Sequence, residues 1–112
     1  MGHLGVAWGY GAGTQVSNLS DLREQARWAQ SAGFDSFWLS QVFGLDPTVA
    51  LAAIANEVQG FTEVGTSVVP LTGRHPLALA AAALTAQAAT DGRFTLGIGP
   101  SHQSVAEGWY GA

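Results

Sequence analysis

Short apolar runs recur four times along the chain at intervals of about 30 residues, the length of one β-strand followed by one α-helix. The runs do not alternate apolar with polar residues, as strands with one solvent-facing side do. We therefore expect parallel strands that are covered on both faces. The four runs span residues 4–8, 36–39, 64–69 and 94–98.

Helix signals fill the gap between the first two runs. Asp21 and Glu24 have the spacing of a capping box and predict the start of the first helix. Gly33 occupies the place of a left-handed residue at its end. The apolar stripe of this helix is predicted to be Leu22, Ala26 and Ala29.

Two further helices are marked by proline at their first position. An Asp-Pro pair at residues 46–47 predicts the start of the second helix, and a His-Pro pair at residues 75–76 predicts the start of the third. Glycines at positions 60 and 92 mark their ends. The third helix is apolar on nearly all sides, so we expect it to be sandwiched between layers. The predicted stripe of the second helix is Val49, Leu51, Ile54 and Val58.

The predicted order is β-α-β-α-β-α-β in a single unit over residues 1–112, with a fourth helix that begins at Ser101 or Ser104 and is cut off at Ala112. Right-handed crossovers allow either a small open α/β sheet or the N-terminal (βα)4 half of a TIM, or (β/α)8, barrel, since a whole barrel needs about 250 residues. Longer strand-to-helix loops favour the half-barrel, because such loops build the active face of a barrel. A flavodoxin-like sheet would need a fifth strand or helices on both faces, and the sequence has four strands with no clear candidate for a fifth.

Composition limits the partners that the chain can have. A net charge of −4 over 112 residues, with no lysine, offers no basic surface for nucleic acid or for an anionic membrane. The absence of cysteine excludes disulfides and thiolate chemistry. The longest uncharged helical run is too short to span a bilayer, and the first residues lack the pattern of a signal peptide. We therefore expect a cytoplasmic protein that binds neither nucleic acid nor membrane.

Chemistry is expected at the carboxyl ends of the strands, where ligands bind in both candidate architectures. His102 could serve a cofactor as a hydrogen-bond donor or act as an acid–base group, or it could be a surface residue that caps a helix. Arg74 could hold a carboxylate or phosphate, or be an exposed turn residue. Ser67 has no neighbouring histidine to make it a nucleophile. The three histidines lack metal-ligand spacing, so no metal site is predicted.

Three stretches, GFDSFWLSQVFGLDP, VGTSVVPLTGRHPLALA and DGRFTLGIGPSHQ, resemble the N-terminal half of the luciferase-like monooxygenase family, specifically its coenzyme F420-dependent branch. The resemblance covers essentially the whole chain. It is most specific in the last two stretches, which contain a small-residue strand, an Arg-x-Pro helix start and a Gly-Arg-Phe sequence that opens a strand. The resemblance implies a (β/α)8 barrel that holds a flavin or 5-deazaflavin at its C-terminal face and transfers hydride between that ring and a small-molecule substrate.

The resemblance also implies which residues meet the cofactor. In the deazaflavin branch a bulge in the third strand carries a non-proline cis peptide bond behind the ring, and Ser67-Val68 has the matching place. The expected cofactor is coenzyme F420, with FMN as the alternative. The positions that carry over as cofactor-lining are Gln41, Ser67, Val68, Pro70, Pro100, Ser101 and His102.

The chain departs from the family pattern in two respects. Relatives that oxidise sugar phosphates have an Asp-His pair after the second strand, where this chain has Gln41-Val42, so His102 becomes the remaining candidate for a catalytic acid–base group. The later half of the barrel is missing, so we expect a fragment of a parent oxidoreductase or monooxygenase that is inactive alone. The alternative is a structural half-barrel module without catalytic activity. Because four parallel strands leave open edges, we expect self-association, as a homodimer that closes an eight-stranded barrel or as a higher oligomer.

Overall fold

Parallel strands alternate with helices throughout the part of the chain that the computed structural model describes, which is residues 4–8, 18–40 and 44–100. The predicted alternation is therefore confirmed for these residues. The helices are α1 (Leu19–Ser31), α2 (Pro47–Ala53) and α3 (Pro76–Ala89), with a 3₁₀ helix at Ala55–Val58. The strands are β1 (Gly5–Trp8), β2 (Ser36–Leu39), β3 (Glu63–Thr66), β4 (Val69–Pro70), β5 (Phe94–Thr95) and β6 (Ile98–Gly99).

The main sheet has the strand order β1-β2-β3-β5, and all of its pairs are parallel. Its register places Phe37, Val64 and Phe94 in one row, and all three belong to the buried cluster between the sheet and the helices. The ring of Phe37 stacks on that of Phe61, with 5.2 Å between the ring centroids. Sequential parallel neighbours that are joined through helices form the arrangement predicted for the (βα)4 half-barrel.

A second pairing extends this sheet. β4 pairs with β6 in parallel, and we call these two strands together with the residues that flank them, 67–71 and 97–100, the extension, since they continue the chain beyond β3 and β5. The prediction of one continuous strand in each of these regions is wrong. The hydroxyl of Thr66 donates to the carbonyl of Gly97 and accepts from the Gly97 N–H, at 2.8 and 2.9 Å. A side chain thus replaces the backbone ladder at this point.

Helix α1 buries the predicted stripe, since Leu22, Ala26 and Ala29 are all 1% exposed or less. The predicted cap is wrong, however, because the helix begins one turn earlier. Asn18 is the N-cap: its side chain accepts from the Asp21 N–H at 2.8 Å and donates to the Asp21 carboxylate at 3.0 Å. Gly33 has a φ of 92°, as predicted for the left-handed residue after this helix.

Helix α2 begins as predicted, with the Asp46 carboxylate accepting hydrogen bonds from the backbone N–H groups of Thr48 and Val49. The other end differs, because the α-helix stops at Ala53 and the chain continues as the 3₁₀ helix. One residue of the predicted stripe is also misplaced. Val49 is 59% exposed, because it lies on the side of the helix away from the buried Leu51 and Ile54.

Helix α3 has the predicted bounds, and the Nδ1 atom of His75 accepts from the Leu77 N–H at its start. The prediction that α3 is sandwiched between two layers is wrong. Only Leu79 and Ala86 are buried along its length, because no described element covers its outer side. None of the helices in the described ranges has the length and hydrophobicity needed to cross a bilayer.

Candidate functional site

The link between β3 and β4 is fixed to the end of β2. The peptide bond between Ser67 and Val68 is cis, as the family resemblance predicted. The Ser67 carbonyl accepts a hydrogen bond from the Ser40 hydroxyl at 2.5 Å, and the Ser67 N–H donates to the carbonyl of Leu39 at 2.8 Å. The two polar groups of the Ser67 backbone are therefore bonded to the last residue of β2 and to Ser40, which follows it, and these bonds hold the link in one position.

The extension brings four of the predicted cofactor-lining residues to the same edge of the sheet. Pro70 is the register partner of Gly99, and Pro100 follows Gly99 directly. Two backbone hydrogen bonds join the segments, from the N–H groups of residues 69 and 71 to the carbonyls of residues 97 and 99, at 2.8 and 2.9 Å. Ser67, Val68 and Pro100 are exposed there, whereas Pro70 is buried.

The extension presents apolar side chains to solvent. Val68, Leu71 and Ile98 are 37%, 48% and 49% exposed. A Cβ atom on Gly99 would lie 2.9 Å from Cγ2 of Val68, so glycine allows the valine side chain to lie against the neighbouring strand. No charged residue occurs in 67–72 or 96–100. This neutral apolar surface suits the face of a flat ring better than it suits a phosphate group.

Trp38 covers the face of the sheet that points away from the helices. Its indole Nε1 donates to the hydroxyl of Ser36 at 2.9 Å. Its ring passes over Gly65 and Gly5 on the two adjacent strands, where added Cβ atoms would lie 2.6 and 3.3 Å from the indole. Trp38 therefore lines the side of the sheet that faces away from the helices.

Arg74 does not match either of its predicted roles. Its Nη2 atom lies 2.7 Å from the Asp46 carboxylate, and its side chain is only 20% exposed. The same carboxylate caps α2, so the ion pair fastens the segment before α3 to the start of α2. An anion at this position would compete with Asp46, which argues against a carboxylate or phosphate site.

Gln41, Ser101 and His102 lie outside the described residues, so their predicted roles stay predictions. Two of them adjoin the site in sequence, since Gln41 follows Ser40 and Ser101 follows Pro100. Sequence analysis missed Ser40 itself, whose side chain bonds the Ser67 carbonyl. Its position immediately before a predicted cofactor-lining residue was the available signal.

The sequence profile of the luciferase-like monooxygenase family matches residues 3–112. This chain belongs to that family. A protein of Mycobacterium tuberculosis named as a coenzyme F420-dependent oxidoreductase is 38% identical to it over 108 residues, which are 96% of this chain and 30% of the relative. The family predicted from the three sequence stretches is thus confirmed.

Two solved structures share the fold of this luciferase-like chain. The first is the oxygenating constituent of 3,6-diketocamphane monooxygenase from the CAM plasmid of Pseudomonas putida, in complex with FMN, with a TM-score of 0.79 and 23% identity over 97% of this chain and 32% of that chain. The second is the coenzyme F420-dependent tetrahydromethanopterin reductase from Methanopyrus kandleri, with a TM-score of 0.74 and 17% identity over 95% and 28%. These similarities confirm the predicted fold class. The chain spans about three-tenths of the length of its relatives.

Proposed function

We propose that this chain forms the ring-binding part of a luciferase-like oxidoreductase and holds coenzyme F420 at the extension, with FMN as the alternative ring. The observation that carries the proposal is the neutral apolar surface of Val68, Leu71 and Ile98 at the carboxyl end of the sheet. The 38% identity to a relative named for coenzyme F420 supports the choice of deazaflavin. The bound coenzyme would supply the hydride chemistry, and the chain would supply the placement of its ring.

The described residues fit a flat ring in two ways. Covering the exposed aliphatic side chains of the extension with an aromatic surface removes apolar area from water and so lowers the free energy of the complex. The backbone beneath them is fixed, because Ser40 and Leu39 bond both polar groups of Ser67. A fixed surface loses little conformational entropy on binding, which favours affinity.

An enzyme of this class also needs a group that transfers a proton at the substrate and polar contacts to the ring, and residues next to the extension are the candidates for these roles. We propose His102 as the group that donates or accepts a proton at the substrate, and Gln41 and Ser101 as polar contacts to the ring. The substrate is a small molecule, as in other oxidoreductases that use a bound ring cofactor. The uncharged extension offers no contact to the charged tail of the coenzyme, so that tail is bound by other residues.

Fluorescence titration of coenzyme F420 into the purified chain tests the proposal, with Val68→Asn as the site variant and Leu4→Asn as the matched control. Leu4 is also an exposed aliphatic residue, at 55%, but it directly precedes β1 at the opposite end of the sheet. Losing about 40 Å² of apolar contact corresponds to about 1 kcal/mol, so we expect V68N to weaken binding about fivefold. L4N should bind like the unaltered chain.

Circular dichroism of each variant establishes that it is folded before binding is compared. Equal affinities of V68N and L4N would contradict the placement of the ring at the extension. A folded chain that binds neither coenzyme F420 nor FMN would contradict the proposed function and favour the structural half-barrel module. Preference for FMN would change the cofactor and leave the site in place.

A further inference from the structure

The side of the main sheet that faces away from the helices, which we call the inner face, carries the carboxylate of Glu63. Along β3, Val64 belongs to the buried cluster between the sheet and the helices, so strand alternation directs the neighbouring Glu63 to the inner face. On β2, Ser36 is the register partner of Glu63, and its hydroxyl bonds the indole of Trp38 on the same face. A charged group therefore lies beside the aromatic ring that covers the inner face.

The Glu63 side chain points along the sheet and not out of its amino end. Its Oε2 atom accepts a hydrogen bond from the Thr95 hydroxyl at 2.5 Å. Thr95 is the register partner of Gly65, which lies two residues beyond Glu63 along β3. The carboxylate thus reaches toward the middle of the inner face. Closure of a barrel would bury it, because inward-facing side chains fill the interior of an eight-stranded barrel.

No arginine of this chain forms an ion pair with Glu63. The chain has four arginines and no lysine, and all four arginines lie in the described ranges. Two of them face the Glu57 carboxylate, the next pairs with the Asp46 carboxylate, and the last donates to three backbone carbonyls. In chain order they are Arg23, Arg27, Arg74 and Arg93. Glu63 therefore has the Thr95 hydroxyl as its one hydrogen-bond partner among the described residues.

A partner that covers the inner face has to compensate this charge. Burial of an unpaired carboxylate is costly, so a barrel closed over Glu63 needs a cation opposite it. The partner also has to pair with two strands, because β1 and β5 are the two edges of the main sheet within the described ranges. A second half-barrel meets both requirements if one of its inward-facing residues, at the height of Glu63, is lysine or arginine.

An identical copy of this chain does not meet the requirement of charge. A two-fold axis along the barrel would place the two β3 strands on opposite walls, with both Glu63 side chains at the same height and directed toward the axis. Two carboxylates that share a site without water repel each other, and one of them would have to take up a proton. The open strand edges favour self-association, whereas ionised Glu63 opposes it.

We infer that the inner face docks a half-barrel that presents a lysine or arginine to Glu63, and that Glu63 disfavours closure with an identical copy. The Thr95 hydroxyl binds one carboxylate oxygen, and the other oxygen is available to the cation. Solvent and salt screen a buried ion pair much less than an exposed one, so this single pair can select the partner. The inference concerns the inner face near the amino ends of the strands and does not depend on the cofactor site at their carboxyl ends.

The Glu63→Arg variant tests this inference, because it is a half-barrel with the required basic residue. Sedimentation velocity near neutral pH compares the unaltered chain, E63R and their equimolar mixture between about 1 and 100 μM. We expect a dimer in the mixture whose dissociation constant is at least about tenfold lower than that of either protein alone. Native mass spectrometry identifies the heterodimer, since the two chains differ in mass.

Glu24→Arg is the matched control, because it makes the same change at an exposed position of α1. A mixture of the unaltered chain with E24R should associate as the unaltered chain does, within about twofold. Glu63→Gln removes the charge and keeps the shape of the side chain, so E63Q alone should dimerise at least about threefold more tightly than the unaltered chain. Circular dichroism of each variant establishes that it is folded.

Three results would overturn the inference. The first is a mixture with E63R that stays monomeric over the whole concentration range. The second is an unaltered chain that dimerises as tightly as this mixture or as E63Q, because Glu63 would then not oppose an identical copy. The third is equal association of the E63R and E24R mixtures, which would indicate general attraction between unlike charges and not a pair at Glu63.

Discussion

Replacing Arg93 with methionine should remove a large share of the stability of this chain. The Arg93 guanidinium donates three hydrogen bonds to backbone carbonyls: Nε to Thr90 at 2.9 Å, and Nη1 to Val58 and Phe61 at 2.7 and 2.8 Å. Thr90 is the C-cap of α3, and Val58 is the last residue of the 3₁₀ helix. One side chain thus holds two helix ends and the segment that leads into β3, and its charge is favourable beside carbonyl groups at helix C-termini.

The magnitude follows from the number of bonds and their partial burial. A hydrogen bond to a charged group contributes about 1.5–3 kcal/mol, but water can replace part of each bond at this half-buried site, so we assign about 1 kcal/mol to each and about 3 kcal/mol to the three. Methionine retains most of the apolar stem of arginine, so the loss reports hydrogen bonding more than packing. In a domain of this size, 3 kcal/mol lowers Tm by about 12–24 °C.

Urea denaturation followed by tryptophan fluorescence measures the difference between the variants. Arg93→Lys keeps the charge but lacks the planar fork, so we expect about half of the loss seen in R93M. Arg27→Met is the control: the Arg27 side chain is 62% exposed and lies 4.0 Å from the Glu57 carboxylate, so its removal should cost less than about 0.5 kcal/mol. The reasoning is refuted if R93M unfolds at the same urea concentration as R27M.

Three further pairs of variants test local features of the fold and the site. Gly97→Ala should destabilise the chain by about 3 kcal/mol, because the added Cβ would overlap the Thr66 carbonyl. Gly33→Ala should cost about 1 kcal/mol, since the φ of Gly33 is 92° but nothing lies close to the added Cβ. Equal urea midpoints of the two variants would contradict the overlap at Gly97. His75→Asp should raise the free energy of unfolding by about 0.5 kcal/mol, because aspartate is the better cap and α3 has no acidic residue in its first turn. His75→Ala should lower it by a similar amount. Thermal unfolding of both variants measures this order of stability, and the reverse order would refute the reasoning. Ser40→Ala should weaken binding of coenzyme F420 about threefold, because it removes the hydrogen bond to the Ser67 carbonyl. Ser40→Thr keeps a hydroxyl and should restore the affinity. An S40T variant that binds no better than S40A would show that the hydroxyl does not position the site.

The features that sequence predicted well are set by local interactions. The start of α2 follows from Asp46 and Pro47, which cap and open the helix without help from distant residues. Gly33 was predictable because a left-handed residue after a helix favours glycine. The cis bond at Ser67-Val68 and the neighbourhood of Pro70 and Pro100 came from family resemblance and not from pattern.

Sequence analysis predicted the N-cap of α1 and the burial of α3 wrongly, because in each case the residue types allow more than one arrangement. Asn18 and Asp21 are both good caps three residues apart, and the helix begins at the first of them. The apolar character of α3 indicates a surface that gains from burial, but it does not identify what covers that surface. Leu77 and Leu84 are therefore exposed, although their residue type favours the core.

Long-range contacts account for the remaining differences. Arg74 pairs with Asp46, which is 28 residues away, and the sequence around either residue does not indicate the other. The Thr66 hydroxyl bonds both backbone polar groups of Gly97, which is 31 residues away. These bonds take the place of backbone pairing between β3 and β4 on one segment and between β5 and β6 on the other. Such pairings are decided by the packing of the sheet and not by local preference.

The proposed position of the coenzyme is tested most directly by backbone amide chemical shifts of the labelled chain as coenzyme F420 is added. We predict that the largest changes occur at Ser40, in residues 67–71 and in residues 97–99, with little change along α1 and on the outer side of α3. Changes centred on the exposed residues Val49 and Ala53 of α2, or no changes in a chain that is folded, would contradict a cofactor site at the extension.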